Sequence, residues 1–265
     1  MNVKEVATRG IAGALYVLVI LLGILGGEIA FLIIFGTILG FALFEFYRMI
    51  ERETSHTIDK TFNIASGIIA FVAFYLQIKG VTTVLLPILS LGYLLILVTS
   101  ALFLKRDNVL NGIIYSVFGH FYITLPLGIM MLMTNMLVNI IYLFIFIWVN
   151  DTAAYVVGSL LGKHKLIEHI SPNKSVEGFI GGIVFSALAA VVIANFNDDV
   201  SMGMWIIFGV VVALFGTLGD LFESLIKRTY NVKDTGNLIP GHGGILDRID
   251  SLLIAIPAVY LLWML

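Results

Sequence analysis

Long apolar runs recur along this chain, and they restrict its possible folds more than any other feature. Several of them exceed the roughly 18–20 apolar residues that a helix needs to cross the hydrocarbon core of a bilayer. Of the 265 residues, 60% are hydrophobic and 12% are charged, whereas a soluble domain carries about 25% charged residues. Such a chain cannot cover itself with a polar surface in water. The sequence therefore predicts an all-α integral membrane protein, a polytopic helical bundle in a lipid bilayer.

The apolar runs predict about nine membrane spans. They are 10–27, 29–50, 62–78, 82–104, 111–133, 136–160, 178–197, 202–228 and 251–265. Because no internal repeat or linker interrupts them, we expect one membrane domain over residues 1–265. Within it we distinguish an N-terminal helical subdomain (1–80), middle spans (81–135) and a C-terminal part (136–265) with the catalytic spans and loops.

The distribution of Lys and Arg predicts the orientation of these spans. If the N-terminus is cytoplasmic, 14 of the 15 basic residues fall on the cytoplasmic side and only Lys79 falls outside. Cytoplasmic loops of membrane proteins carry such an excess of basic residues. The two long polar loops, 161–177 and 229–250, are then cytoplasmic as well.

Carboxylates in or beside apolar segments are the first candidates for chemistry, because a charge near the bilayer centre is costly unless it pairs or binds something. Four polar residues of the eighth span share one helix face at i, i+3, i+4 and i+7 spacing: Asp220, Glu223, Ser224 and Lys227. Asp247 and Asp250 repeat the i, i+3 spacing where the ninth span begins. Facing carboxylates repel unless a cation separates them. Since the chain has no cysteine, an oxygen-bound Mg²⁺ is the natural cation; the alternative is an ion-pair network with Lys227 and Arg248.

A glycine-rich loop, defined here as residues 233–244, connects these two carboxylate faces. Glycines let backbone N–H groups approach an anion closely, and the following helix N-terminus adds positive potential. Four cations lie in or beside the loop: Lys227, Arg228, Lys233 and Arg248. The loop is thus predicted to bind phosphate. His242 is either a phosphate donor or general acid, or it only hydrogen-bonds the loop.

The loop after the sixth span has a similar character, with Asp151 at its membrane edge and basic residues after it. Ser171 and Pro172 are typical of a helix start. Lys174 either binds phosphate or forms an ordinary i, i+3 ion pair with Glu177. The spacing of Gly178 and Gly182 indicates helix packing. In the second span, Glu45 and Arg48 are spaced for a structural i, i+3 ion pair.

The stretch Ser224–Asp250 resembles the signature of the phosphatidate cytidylyltransferases, the CDP-diacylglycerol synthases. That signature reads S-x-x-K-R-x4-K-D-x-G-x2-hydrophobic-P-x-H-G-G-hydrophobic-x-D-R-hydrophobic-D, and every position is present here. Residues 150–155 and 171–178 are similar to the family's other motif, with Ala153 where Gly is frequent and Asn173 where Lys is frequent. The resemblance covers roughly residues 140–265.

This resemblance implies a Mg²⁺-dependent transfer of CMP from CTP to phosphatidate, giving CDP-diacylglycerol and pyrophosphate in phospholipid biosynthesis. It implies a site at the cytoplasmic face of the cell inner membrane, where a second, monovalent cation such as K⁺ can assist. CTP, phosphatidate and the bilayer are the expected partners, nucleic acid is not expected, and a homodimer is one open assembly. A CTP-dependent lipid kinase and an ion-coupled transporter are the alternative functions.

Residue roles follow as expectations. We expect Asp220 and Asp247 to ligate metal, with Glu223, Asp250 and Asp151 as further ligands or orienting groups. The expected catalytic residues are Asp220, Lys227, Asp247, Arg248 and His242. The expected substrate-binding residues are Ser171, Asn173, Lys174, Ser224, Arg228, Lys233, Gly243 and Gly244.

Overall fold

The computed structural model describes residues 3–53, 58–103, 108–238 and 243–264, and most of them are helical. The helices are α1 (Val3–Leu25), α2 (Glu28–Glu53), α3 (Lys60–Ile78), α4 (Leu85–Phe103), α5 (Val109–Gly119), α6 (Leu125–Leu132), α7 (Leu137–Leu161), α8 (Val176–Ala194), α9 (Met202–Thr229) and α10 (Leu246–Met264). A π-helical turn, His120–Thr124, joins α5 to α6 in one continuous rod. His242, Lys105 and Arg106 lie outside the described residues.

Seven helical segments of the described chain are long and apolar enough to cross a membrane: α2, α3, α4, the α5–α6 rod, α7, α8 and α9. Helix α1 contributes a shorter apolar stretch, Gly10–Leu25. The first turns of α10 carry Asp247, Arg248 and Asp250. The prediction of an all-α polytopic membrane protein is confirmed. Each predicted span coincides with a helix, but the spans predicted at 10–27 and 251–265 are not among the seven, so the count of about nine spans stays a prediction.

The outer faces of the helices are apolar, as a membrane environment requires. In α4, Leu95, Leu102 and Phe103 are 66%, 78% and 82% exposed. Each Å² of apolar surface left in water costs about 25 cal/mol. Such faces are therefore suited to contact with acyl chains.

The chain divides into two compact units. The first comprises residues 1–135 and 230–248, and buried aromatic side chains such as Phe35, Phe46 and Phe71 form its core. The second comprises residues 136–229 and 249–265, where Phe146, Trp205 and Phe208 are buried. The expected division of the domain at residues 80 and 135 stays a prediction.

Within the second unit, glycines let α8 pack closely on α7. A Cβ atom on Gly178 would lie 2.7 Å from the carbonyl oxygen of Ala154, and one on Gly182 would overlap the side chain of Asn150. Any larger residue would separate the helices. The predicted packing role of Gly178 and Gly182 is confirmed.

A two-stranded antiparallel hairpin lies between α7 and α8, formed by β1 (Lys165–Ile167) and β2 (Ser171–Ser175). The prediction that a helix starts at Ser171 and Pro172 is wrong, because pairing with β1 keeps this segment extended. Helix α8 begins at Val176 instead. Its N-cap is Ser175, whose hydroxyl accepts a hydrogen bond of 3.1 Å from the N–H of Gly178.

Candidate active site

The polar face predicted for the eighth span is present on α9, in the second unit. Lys227 Nζ lies 2.6 Å from Glu223 Oε2, and the two side chains are 11% and 1% exposed. Ser224 Oγ donates a longer hydrogen bond, 3.4 Å, to Asp220 Oδ1. A buried charge of this kind is tolerated only when it is paired. The i, i+4 geometry therefore places a fixed cation and a fixed anion side by side at the end of a membrane helix.

The hairpin brings a second cation to this face. Lys174 Nζ, on β2, lies 2.5 Å from Asp220 Oδ2, and both side chains are about one-third exposed, at 27% and 35%. Glu177 pairs elsewhere, since His164 Nδ1 lies 2.6 Å from Glu177 Oε1. The alternative prediction of an i, i+3 ion pair between Lys174 and Glu177 is therefore wrong. The loop after α7 and the polar face of α9 belong to one cluster.

A third carboxylate joins the cluster from α10. Asp250 lies close enough to Glu223 and Asp220 for the three carboxylates to repel one another. The close approach is possible because α9 has a glycine here: a Cβ atom on Gly219 would lie 2.6 Å from the carbonyl oxygen of Asp250 and 3.0 Å from Cα of Ser251. Three carboxylates and two lysines thus gather in the second unit.

Neighbouring residues connect α7 and the hairpin to α9. The amide of Asn150, buried on α7, donates to Asp151 Oδ1 at 3.2 Å and to Thr217 Oγ1 on α9 at 3.3 Å. Asp151 itself is exposed. Arg228 Nε donates to the carbonyl oxygen of Ile170, just before β2, at 3.4 Å. Arg228 therefore holds the hairpin as well as being a candidate for substrate binding.

The carboxylate oxygens of Asp220, Glu223 and Asp250 have the donor chemistry that Mg²⁺ prefers. Within the described ranges, however, no group of three or more His, Asp or Glu side chains is arranged to hold a metal ion. Two of the carboxylates are paired, Asp220 with Lys174 and Glu223 with Lys227. The pair of Lys227 is part of the ion-pair alternative drawn from the sequence, whereas that alternative named Arg248 and not Lys174 as the second cation. The carboxylates of this cluster do not form a cage built wholly of protein ligands, and a metal ion held here stays a prediction.

In the first unit, Asp247 organises the glycine-rich loop. Its Oδ2 accepts three hydrogen bonds, from the Thr235 N–H at 2.9 Å, the Thr235 hydroxyl at 3.0 Å and the Gly244 N–H at 2.8 Å. Asp247 is 7% exposed. Its role as a metal ligand stays a prediction, and so does a metal site shared by Asp247 and Asp220, which belong to different units.

Glu45 was interpreted as structural from the sequence, yet its carboxylate contacts the Thr235 side chain near the start of the loop and the backbone just after its end. Oε1 accepts from the Ile245 N–H at 3.1 Å, and Oε2 accepts from the Leu246 N–H at 2.9 Å and the Thr235 hydroxyl at 3.1 Å. No salt bridge of the described residues joins Glu45 to Arg48, whose guanidinium lies over the ring of Phe44. The predicted Glu45–Arg48 ion pair is wrong. The available signal was a carboxylate inside an apolar span.

The loop glycines make room for these two carboxylates. A Cβ atom on Gly236 or Gly244 would overlap the carboxylate of Glu45. Gly243 has a φ of +80°, and a Cβ atom there would lie 2.7 Å from Asp247 Oδ2. The backbone approaches anions closely, as the sequence predicted, but the anions identified by these contacts are the protein's own.

The remaining candidates lie near these clusters. Lys233 and Arg248 are exposed in the first unit, and the carbonyl oxygen of Arg248 accepts a hydrogen bond of 2.9 Å from Tyr16 of α1. Ser171 and Asn173 lie on β2 with Lys174. The substrate-binding roles of all these residues, and of Gly243 and Gly244, stay predictions.

The known proteins that this chain resembles are named cytidylyltransferases. A model of the cytidylyltransferase family matches residues 7–265. A protein of Staphylococcus aureus (strain COL) named phosphatidate cytidylyltransferase is 49% identical over 125 residues. Proteins of the same name from Staphylococcus saprophyticus and Staphylococcus epidermidis are 46% and 48% identical. Each match covers 46% of this chain and 48% of the relative, so the chain spans about half the length of the curated relatives it matches.

Proposed function

The chain belongs to the cytidylyltransferase family, and on that premise we propose that it is a membrane-bound CTP:phosphatidate cytidylyltransferase. A phosphate oxygen of phosphatidate forms a bond to the α-phosphorus of CTP, the bond between the α- and β-phosphates breaks, and pyrophosphate leaves. The observation that carries this proposal is the cluster on α9, where Lys174 and Lys227 are held against Asp220 and Glu223. It combines cations for phosphates with anions for a metal ion.

The lysines supply binding and orientation. Lys227 is 11% exposed and fixed by Glu223, so little conformational entropy remains to be lost when it meets a phosphate. Lys174 is held by Asp220 on a hairpin anchored by Arg228. Fixed positive charges beside the reacting phosphates stabilise the negative charge that develops as pyrophosphate leaves. A phosphate monoester is already ionised near neutral pH, so the attacking oxygen needs no strong base.

The proposal includes Mg²⁺, held by Asp220 with Glu223 or Asp250 and with Asp247 and Asp151 as further candidates. Mg²⁺ is usually bound by one or two carboxylates together with substrate phosphates and water, which suits a cluster without a complete protein cage. When bound, it would offset charge on the transferred and leaving phosphates. A monovalent cation such as K⁺ is a further part of the proposal.

We place the reaction at the cytoplasmic face of the cell inner membrane, with the N-terminus in the cytoplasm. The support is the distribution of charge, since 14 of the 15 basic residues fall on one side of the predicted spans. CTP is a soluble polyanion and phosphatidate is a lipid, so a site for both must lie at an interface. The same charge distribution predicts that side for residues 161–177 and for residues 229–250.

Turnover by the purified chain in mixed micelles with phosphatidate tests the proposal. We expect CTP consumption that requires both phosphatidate and Mg²⁺ and yields lipid-linked CMP. Asp220→Asn is the control that removes the charge of one carboxylate and should give no product. Absence of turnover, together with ion-driven uptake when the chain is placed in liposomes, would contradict the proposal and favour a transporter.

A further inference from the structure

Three glutamates of α2 form two kinds of contact: two of them form ion pairs, and the third accepts hydrogen bonds from neutral groups. Glu28 pairs with Lys79, and Glu51 pairs with Lys60, in ion pairs whose side chains are 21–42% exposed. Glu45 is 5% exposed, and the partners of its carboxylate are the N–H groups of Ile245 and Leu246 and the hydroxyl of Thr235. Its binding partners are thus separated from it by about 200 residues of sequence.

The contacts of Glu45 close a ring of charge-assisted hydrogen bonds around the described ends of the glycine-rich loop. The Thr235 hydroxyl lies 3.1 Å from Glu45 Oε2 and 3.0 Å from Asp247 Oδ2, so its single proton is shared between the two carboxylates. Four backbone N–H groups point at these carboxylates: those of Thr235, Gly244, Ile245 and Leu246. Hydrogen bonds to an ionised acceptor are about twice as strong as neutral ones.

This ring of hydrogen bonds lies close in sequence to two of the loop cations, Lys233 and Arg248. Lys233 lies two residues before Thr235, and Arg248 lies two residues after Leu246. Both side chains are exposed. The position of each charge therefore depends on the position of the backbone that carries it. Four backbone N–H groups, those of Thr235, Gly244, Ile245 and Leu246, are bound to Glu45 and Asp247 rather than presented to a substrate phosphate. Phosphate recognition at these four positions then depends on the cationic side chains beside them.

We propose that Glu45 is a positioning residue: its buried carboxylate, reaching from α2, holds the backbone beside Thr235 and Leu246 so that Lys233 and Arg248 are presented to substrate phosphates. Glu45 acts through this backbone and does not touch the substrate. The role rests on the proposed function, and it gives the N-terminal helices a part in CMP transfer.

Glu45→Gln tests the role with little change of side-chain size. An amide cannot accept at both ends, so its NH₂ group faces the N–H of either Ile245 or Leu246, and at least one bond is lost. We expect hydrogen exchange at these two amides to become about tenfold faster, as expected for losing one charge-assisted hydrogen bond. We expect kcat/KM to fall about 100-fold, the scale of a small displacement of positioning groups. Glu28→Gln, on the same helix, should leave kcat/KM within about threefold of the wild type.

The effect of Lys233→Ala on kcat/KM, measured with and without Glu45→Gln, distinguishes a positioning role of Glu45 from a merely structural one. Lys233→Ala should reduce kcat/KM in the wild-type chain and should reduce it much less in Glu45→Gln, because a displaced loop no longer presents Lys233. Independent effects would instead multiply. Multiplying effects, or exchange in Glu45→Gln equal to that in Glu28→Gln, would overturn the proposal.

A second pair of variants serves if Glu45→Gln does not fold. Thr235→Val removes the bridging hydroxyl while keeping the backbone N–H, and Thr235→Ser retains the hydroxyl. We expect Thr235→Val, but not Thr235→Ser, to show the faster hydrogen exchange at the Ile245 and Leu246 amides and the loss of coupling to Lys233. Equal behaviour of the two variants would overturn the positioning role of Glu45. If the wild-type chain transfers no CMP, the proposed function fails, whereas the exchange measurements still decide whether Glu45 holds the loop.

Discussion

The buried ion pair of Lys227 and Glu223 permits a test that separates stability from activity. Lys227→Met keeps most of the apolar stem and removes the charge. Because Glu223 is 1% exposed, removing its cation leaves a carboxylate with less compensation in a buried site. Breaking a buried pair from one side costs about 3–5 kcal/mol. We therefore expect a clearly lower midpoint of thermal unfolding for this variant.

The double variant Lys227→Met/Glu223→Gln removes both charges. Replacing both members of a buried pair is often close to neutral, so we expect the double variant to recover most of the lost stability. The activity should not recover, because the cation proposed to bind phosphate is absent from both variants. Loss of one group that stabilises developing charge typically lowers turnover about 100-fold or more, and we expect kcat/KM to fall by that factor.

The assay combines thermal unfolding in detergent micelles at one fixed scan rate with initial rates of CTP consumption on phosphatidate. A fixed scan rate is needed because membrane proteins of this kind can unfold irreversibly. A wild-type kcat/KM in Lys227→Met would refute the phosphate-binding role of Lys227. Recovery of activity together with stability in the double variant would refute it as well, because Lys227 would then be only the structural partner of Glu223.

Four further perturbations have defined outcomes. Asp220→Asn should abolish turnover while membrane insertion stays normal, and near-normal rates would remove Asp220 from the metal site. Asp247→Asn should reduce turnover about 100-fold and expose the Thr235 amide to faster hydrogen exchange, since Oδ2 accepts three hydrogen bonds; unchanged exchange would contradict this. Gly244→Ala should inactivate the protein, because the added Cβ would overlap the Glu45 carboxylate. Gly92→Ala should not, because a Cβ atom there has no neighbouring atom within 4 Å. Equal rates of the two variants would contradict the steric overlap as the cause. Removal of Mg²⁺ with EDTA should abolish turnover and added Mg²⁺ should restore it, and full activity in EDTA would exclude the metal.

The sequence predicted the helices because an apolar run of about 20 residues has few alternatives in a bilayer. It also predicted the polar face of α9, since i, i+4 neighbours on a helix meet whatever its surroundings. The pair formed by Lys227 and Glu223 follows from this rule alone. The local signals were weaker at the hairpin, where pairing of β2 with β1 overrode the helix-start signal of Ser171 and Pro172 and left Ser175 as the N-cap.

Contacts between distant parts of the chain could not be predicted from spacing. Glu45 lies about 200 residues from Leu246, and its nearest complementary charge in sequence, Arg48, suggested a local pair that does not form. The loop glycines illustrate the same limit: their flexibility indicated a bound anion, but only the three-dimensional structure identifies Glu45 and Asp247 as anions that they accommodate. Local patterns report on a helix face or a turn, whereas the partner of a buried charge depends on the fold.

Position-labelled CTP tests the central proposal most directly. The purified chain is incubated with phosphatidate and Mg²⁺ in two parallel reactions, one with CTP labelled at the α-phosphate and one with CTP labelled at the γ-phosphate. CMP transfer predicts that the α-label enters the lipid and that the γ-label is released as pyrophosphate. The γ-label in the lipid with the α-label released as CDP would identify a lipid kinase and contradict the account.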